Sequence, residues 1–138
     1  ITSATLAQNS AVEAAAKKFV PGVTWKVGSV VAADFTCHGR KESAILGLTE
    51  SNIVIAVFVN GTDSRPEILR YSAQARDPKT AKLSLEGSDY DPKAVIGEEL
   101  EGFKRSKTCK GLNLSDGKID SAHIYWNHLK NHFEAWSL

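Results

Sequence analysis

Apolar positions follow two different rhythms along the chain. Between Ser10 and Phe19 they recur at helical spacing, so that Val12, Ala15, Ala16 and Phe19 share one face. Ser10-Ala11-Val12-Glu13 has the form of a capping box, in which the serine hydroxyl accepts from the Glu13 N–H and the glutamate reaches back to the Ser10 N–H. Lys17 and Lys18 complement the helix dipole at the other end, and Pro21-Gly22 stops the helix. The pattern predicts an amphipathic helix over residues 11–19.

Beyond Pro21 the signals are those of strands. Val23 to Ala33 is rich in β-branched residues and broken at Gly28-Ser29, and Ala44 to Leu48 is a short apolar run. Ile53 to Val59 is unbroken, as expected of a central strand covered on both faces, and Asn60-Gly61 turns the chain directly after it. Glu67 to Ala75 and Ala81 to Glu86 are the next candidates. In the second, Ala81, Leu83 and Leu85 face one way while Lys82, Ser84 and Glu86 face the other, the alternation of a half-exposed antiparallel strand. Asp77-Pro78 and Asp91-Pro92 mark loops, with a short helical turn expected within 92–102. His123–Asn127 and His132–Ser137 read as a closing hairpin around His128-Leu129-Lys130-Asn131. One helix and six to eight strands with short connections predict an α+β fold, a predominantly antiparallel β-sheet with an N-terminal helix.

Composition narrows the class. With 138 residues, 42% apolar and 24% charged, the chain suits a single globular β-rich domain over 10–138, preceded by a flexible segment over 1–9. There is no methionine, and the first residue is Ile1. Thr5-Leu6-Ala7 places small residues where a signal peptidase reads, with cleavage before Gln8, so 1–7 reads as the tail of a secretory signal. A frayed terminus or a cloning boundary is the plainer alternative. No run of 18 apolar residues is present, so no membrane span is expected. A net charge of +1 argues against nucleic acid as a partner. Cys37 and Cys109 suit one disulfide in an oxidising compartment, secreted or periplasmic, two buried thiols being the alternative.

A short motif occurs twice. Gly39-Arg40-Lys41-Glu42-Ser43-Ala44-Ile45-Leu46 matches Gly117-Lys118-Ile119-Asp120-Ser121-Ala122-His123-Ile124 in the pattern Gly-x-x-acid-Ser-Ala-x-aliphatic. In each copy the acid stands where it can accept backbone N–H groups of a tight turn. Asp34 to Gly47 resembles the Asp-Phe…Gly-x-x-Asp-x-Ala-x-x-Gly turn of FG-GAP/VCBS-type repeats, with a shorter echo at Ser115 to Asp120 that continues to residue 124. That resemblance implies a β-rich extracellular module, often with a calcium-loaded loop. Thr36 and His38 stand where the family usually has Asp or Asn, and Asp34 with Glu42 supply too few oxygens for calcium. No metal or other cofactor is therefore expected. The whole chain also resembles small secreted bacterial proteins without an assigned activity.

Several clusters could carry chemistry. His128 and His132 have the i,i+4 spacing of a zinc-binding helix, with His123 nearby, but they sit in a predicted hairpin. Cys37-His38 beside Glu42 has the composition of a thiol nucleophile with a base, which a disulfide would abolish. Glu98, Glu99 and Glu101, with Asp89 and Asp91, offer carboxylates that nothing sets across a cleft. Lys104, Arg105, Lys107 and Lys110 follow that acidic block and are expected to balance it within one loop. Alternation along the last hairpin puts Tyr125 and Trp126 on opposite faces, so one of them is exposed unless the sheet is covered.

These readings favour a secreted or periplasmic binding protein without catalysis, taking a protein or glycan partner as a monomer or weak dimer. The expected contact surface comprises Asp34, His38, Arg40, Glu42, Asp116, Asp120, Tyr125, Trp126 and His128, with the disulfide tying the two similar turns together. One alternative is an inhibitor of a cell-wall hydrolase, since Gly87-Ser88-Asp89-Tyr90 resembles in composition, though not in order, the Ser-Gly-x-x-Tyr loop of periplasmic lysozyme inhibitors. Another is a small hydrolase pairing a carboxylate with His123.

Overall fold

The N-terminal helix is longer than its local signals suggest. In the computed structural model, which describes residues 3–138, α1 runs Ser3–Phe19. Ser10 and Glu13 therefore lie inside the helix, and no capping box forms at Ser10. Glu13 instead pairs with Lys17 one turn on, at 3.2 Å. The extra turns mix good helix formers (Leu6, Ala7 and Gln8) with the weaker Thr5 and Asn9, and Gln8 donates to the Ser43 hydroxyl at 3.3 Å. Ile1 and Thr2, the start of the expected flexible segment, lie outside the described residues.

Strands β1 (Thr24–Trp25), β2 (Val31–Ala33), β3 (Glu42–Leu48), β4 (Asn52–Phe58) and β5 (Glu67–Ser72) form the first antiparallel sheet. Its path is β1-β3-β4-β5, and β2 also pairs with β3. The Gly28-Ser29 break separates β1 from β2, and the Ser29 hydroxyl bridges the gap by accepting from Leu46 N at 3.0 Å. Strands β6 (Lys82–Ser88), β7 (Ser106–Ser115), β8 (Ala122–Asn127) and β9 (His132–Trp136) form the second antiparallel sheet, in chain order. The class is α+β, as the sequence predicts.

The central strand explains the layering. Alternate residues of β4 serve two different cores. Ile53, Ile55 and Val57 pack with Leu83, Leu112, Leu114, Ile124, Trp126 and Phe133 of the second sheet. Val54, Ala56 and Phe58 pack with Val12, Ala15, Ala16 and Val20 of α1. The result is three layers, helix on sheet on sheet, with both faces of the first sheet buried. That is why Ile53 to Phe58 reads as one unbroken apolar run. Gly47 lies under Trp25, where an added Cβ would approach the indole within 2.6 Å.

Strand β7, ten residues long, is absent from the sequence expectation, which places Lys104 to Lys110 in a loop. Leu112 and Leu114 face the core while Lys107 and Thr108 are exposed, and backbone pairing to β6 and β8 makes the segment a strand despite its charges. Nor do the acidic and basic blocks balance one another within a loop. Arg105 pairs with Asp89 at 2.8 Å, and Glu101 faces Lys130 of the last hairpin at 3.7 Å. Leu85, expected inward, is 43% exposed on the edge strand β6. The short helix α2 (Pro92–Ile96) is capped by the Asp91 carboxylate, which accepts from Lys93 N.

Cys37 and Cys109 form the expected disulfide, across a sequence separation of 72. No helix among the described residues is long and apolar enough to cross a membrane.

Candidate functional site

Loop 34–41 precedes β3 and is held by two acids. Glu42, 2% exposed, accepts from Phe35 N at 2.8 Å, from Thr36 N at 3.0 Å and from the Thr36 hydroxyl at 2.7 Å. That hydroxyl has one proton, given to Glu42, so the 2.9 Å contact from His38 Nδ1 is a donation by the imidazole N–H. Asp34 accepts from His38 N and Gly39 N. Glu42 and Asp34 are thus braces of the loop rather than free surface groups. The disulfide and the bond from Lys110 N to Asp34 O, 3.0 Å, then fasten the loop to β7.

The last hairpin reaches the same end of the molecule. Asn127 is fully buried, accepts from Leu129 N and Lys130 N through Oδ1, and donates to Glu134 at 3.0 Å. Asn131 closes the turn at φ 57°. Gly102 lies against Asn127, where a Cβ would come within 1.8 Å of Oδ1, and its carbonyl accepts from His128 N. Burial, reinforced by Lys104 and His38, lowers the pKa of His128. Phe133 N donates to Glu67 at 2.7 Å, tying the hairpin to β5. Burial raises the pKa of Glu67 against the opposing pull of that N–H and of His132.

Between these two pieces lies a groove of about 620 Å³ lined by loop 34–41, the 59–67 connection, Trp126 and Asn131. His38, Arg40 and Arg65 supply basic groups and Glu67 the single acid among the lining residues. Arg40 is anchored by donation to Val59 O at 2.9 Å. The exposed Arg65 has no hydrogen-bond or ion-pair partner among the described residues. Loop and hairpin, paired in the sequence expectation, therefore do converge.

Other expected members lie elsewhere. Asp116 and Asp120 sit at the opposite end of the second sheet, about 20 Å away over the six residues of β8. The disulfide joins the first turn to the near end of β7 and does not reach the second turn. Asp116, 5% exposed, accepts from Asp77 N, Lys118 N and Ile119 N. Those bonds, the one from Asp77 first, hold its carboxyl at about 2. Asp120 accepts from Leu138 N at 2.8 Å, the main reason its pKa is lowered. Neither Tyr125 nor Trp126 is exposed. Trp126 enters the core between the sheets. Tyr125 lies under Phe103, at 5.7 Å between ring centroids, because the 89–105 segment covers that face. Burial first, then the Glu134 carboxylate, pushes the Tyr125 hydroxyl up to about 12.

Of the histidines, His128 and His132 flank the turn, and no three His, Cys, Asp or Glu side chains converge as a metal requires among the described residues. His123 does meet carboxylates. Its Nδ1 lies 2.6 Å from Glu86 and its Nε2 3.4 Å from Asp120, and its ring stacks on Trp136 at 3.9 Å. Strand register produces this cluster, since His123 stands opposite both Asn113 and Trp136. The alternation of β6 and the hairpin contained that signal, but joining them required the unpredicted β7. The chain matches no family model, no curated protein and no solved structure.

Proposed function

We propose that this is a non-catalytic binding protein of an oxidising compartment, secreted or periplasmic, which recognises a protein or glycan through the groove between loop 34–41 and the last hairpin. The convergence of these two segments on one groove, under a disulfide, carries the reading. The acids that brace the loop from behind the groove, Asp34 and Glu42, spend their oxygens on backbone and hydroxyl donors. The polar groups that line the groove include His38, Arg40, Arg65, Asn60 and Asn131, with His38 and Arg40 fixed by Thr36, Val59 and Glu42 and Arg65 left unpartnered among the described residues, on a rigid frame. The FG-GAP/VCBS-like turn agrees with an extracellular module. As an inhibitor of a cell-wall hydrolase the protein would use this same end, because Tyr90 is engaged by Trp136 Nε1 at 3.2 Å and leaves no free inserting loop at 87–90.

A glycan array and lysozyme are the first probes. Saturable binding to one of them, lost in the Arg65→Ala/Asn60→Trp variant and without consumption of the ligand, is the expected result. Turnover of the bound ligand, or binding indifferent to both groove substitutions, refutes the reading. The hydrolase alternative has one observation in its favour, the 2.6 Å contact between His123 and Glu86. Both ring nitrogens face carboxylates, however, leaving neither to take a proton from a nucleophile.

A further inference from the structure

The geometry points to a second binding site on the outer face of the second sheet, independent of the groove above, which takes a small quaternary ammonium ion. A groove of about 220 Å³ is lined by Glu86, Gly87, Tyr90, Val95, His123 and Trp136. No lysine or arginine is among these residues. Tyr90 and Trp136 form an aromatic corner, with ring centroids 6.4 Å apart and planes inclined at 66°. Each ring is held in place. His123 stacks on one face of Trp136, and Trp136 Nε1 donates to the Tyr90 hydroxyl.

Glu86 and Asp120 supply the charge, since two carboxylates flank the one His123 ring between them and leave the site net negative. The Glu86 side chain is only 20% exposed, and its Oε1 accepts from both His123 Nδ1 and Asn113 Nδ2. Oε2 has no partner among the described residues. His123 is braced in turn by Asp120, which the backbone N–H of Leu138 holds. The chain Leu138–Asp120–His123–Glu86 thus positions a carboxylate beside two aromatic walls. A cation is attracted to the faces of Trp and Tyr as well as to the carboxylate.

The kind of cation follows from hydrogen-bond supply. A primary ammonium carries three N–H donors, and the groove offers fewer acceptors than that, one free carboxylate oxygen and the Tyr90 hydroxyl already bonded to Trp136. A quaternary ammonium has no donor and covers its charge with methyl groups, which suit Val95 and the rings.

Choline chloride is the probe, titrated against the intact protein and followed by NMR shifts and tryptophan fluorescence. Saturable binding is expected, weakened roughly tenfold by Glu86→Gln and several-fold by Tyr90→Leu, each checked for folding by circular dichroism. The neutral isostere of choline, with carbon in place of nitrogen, should bind at least about tenfold more weakly. Arg65→Ala should leave choline binding unchanged, which separates this site from the groove of the proposed function. Absence of saturation up to about 100 mM, well below the affinity a cation–π site with a carboxylate supplies, overturns the proposal. So does equal binding of the isostere, or a Glu86→Gln variant as tight as the parent.

Discussion

Removing the Glu42 carboxylate should unfasten loop 34–41 and cost a large part of the stability of the protein. Three donors, Phe35 N, Thr36 N and the Thr36 hydroxyl, end on this one buried group. A hydrogen bond to a charged group contributes about 1.5–3 kcal/mol net, and shared bonds are not additive, so Glu42→Ala should cost about 3–5 kcal/mol. That is a major fraction of the roughly 5–15 kcal/mol by which a domain is stable. Glu42→Gln keeps an oxygen for the two N–H groups, asks the Thr36 hydroxyl to turn and removes the charge that Arg40 Nε faces at 3.8 Å, so its cost should be nearer about 1–2 kcal/mol. Urea denaturation with the disulfide intact, followed by tryptophan fluorescence and far-UV circular dichroism, gives both values. A cycle with Thr36→Val should show a coupling of at least about 0.5 kcal/mol. If Glu42→Ala falls within about 1 kcal/mol of the parent at an unchanged denaturant slope, the brace does not exist as described.

Two further outcomes are expected. Replacing Cys37 and Cys109 by alanine releases a constraint across 72 sequence positions and should lower stability by about 4 kcal/mol in the chain-entropy account; a urea midpoint unmoved by full reduction would contradict it. Asp116 has its carboxyl held at about 2, chiefly by Asp77 N, below its ordinary 3.8. Its contribution is therefore present above that ordinary value and is lost as pH falls through the folded one. Asp116→Asn should flatten the acid limb of stability between about pH 4 and pH 2, and an identical limb in parent and variant, read from urea midpoints, would sink the assignment.

Periodicity was legible wherever a segment buries a face through its own neighbours. Val12, Ala15 and Ala16 mark the helix face because their 3.6-residue spacing is local. Ile53 to Phe58 marks the central strand because layers lie on both sides of it. The helix start was not legible: Ser10 and Glu13 have capping-box chemistry, yet the helix continues upstream, where Gln8 bonds Ser43 of the first sheet, a contact that no local signal shows. Strand β7 was hidden because Lys107, Lys110 and Gly111 disfavour a strand locally, while its pairing with β6 and β8 is non-local.

The candidate site divides the same way. The residue types of the first turn, its acid before a strand and its lone cysteine, were visible in the chain, and the fold class followed from element order. Which acids would stay free was not visible. Glu42, Asp34 and Asp116 look like surface chemistry as letters, but backbone N–H groups from their own and neighbouring loops consume them. The cluster of Glu86, His123 and Trp136 joins three separate strands through register across the sheet. Alternation along a strand is a local property that burial writes into the chain. Contacts between strands depend on which edges pair and in what register, and that is settled only when the sheets stack and exclude water from between them.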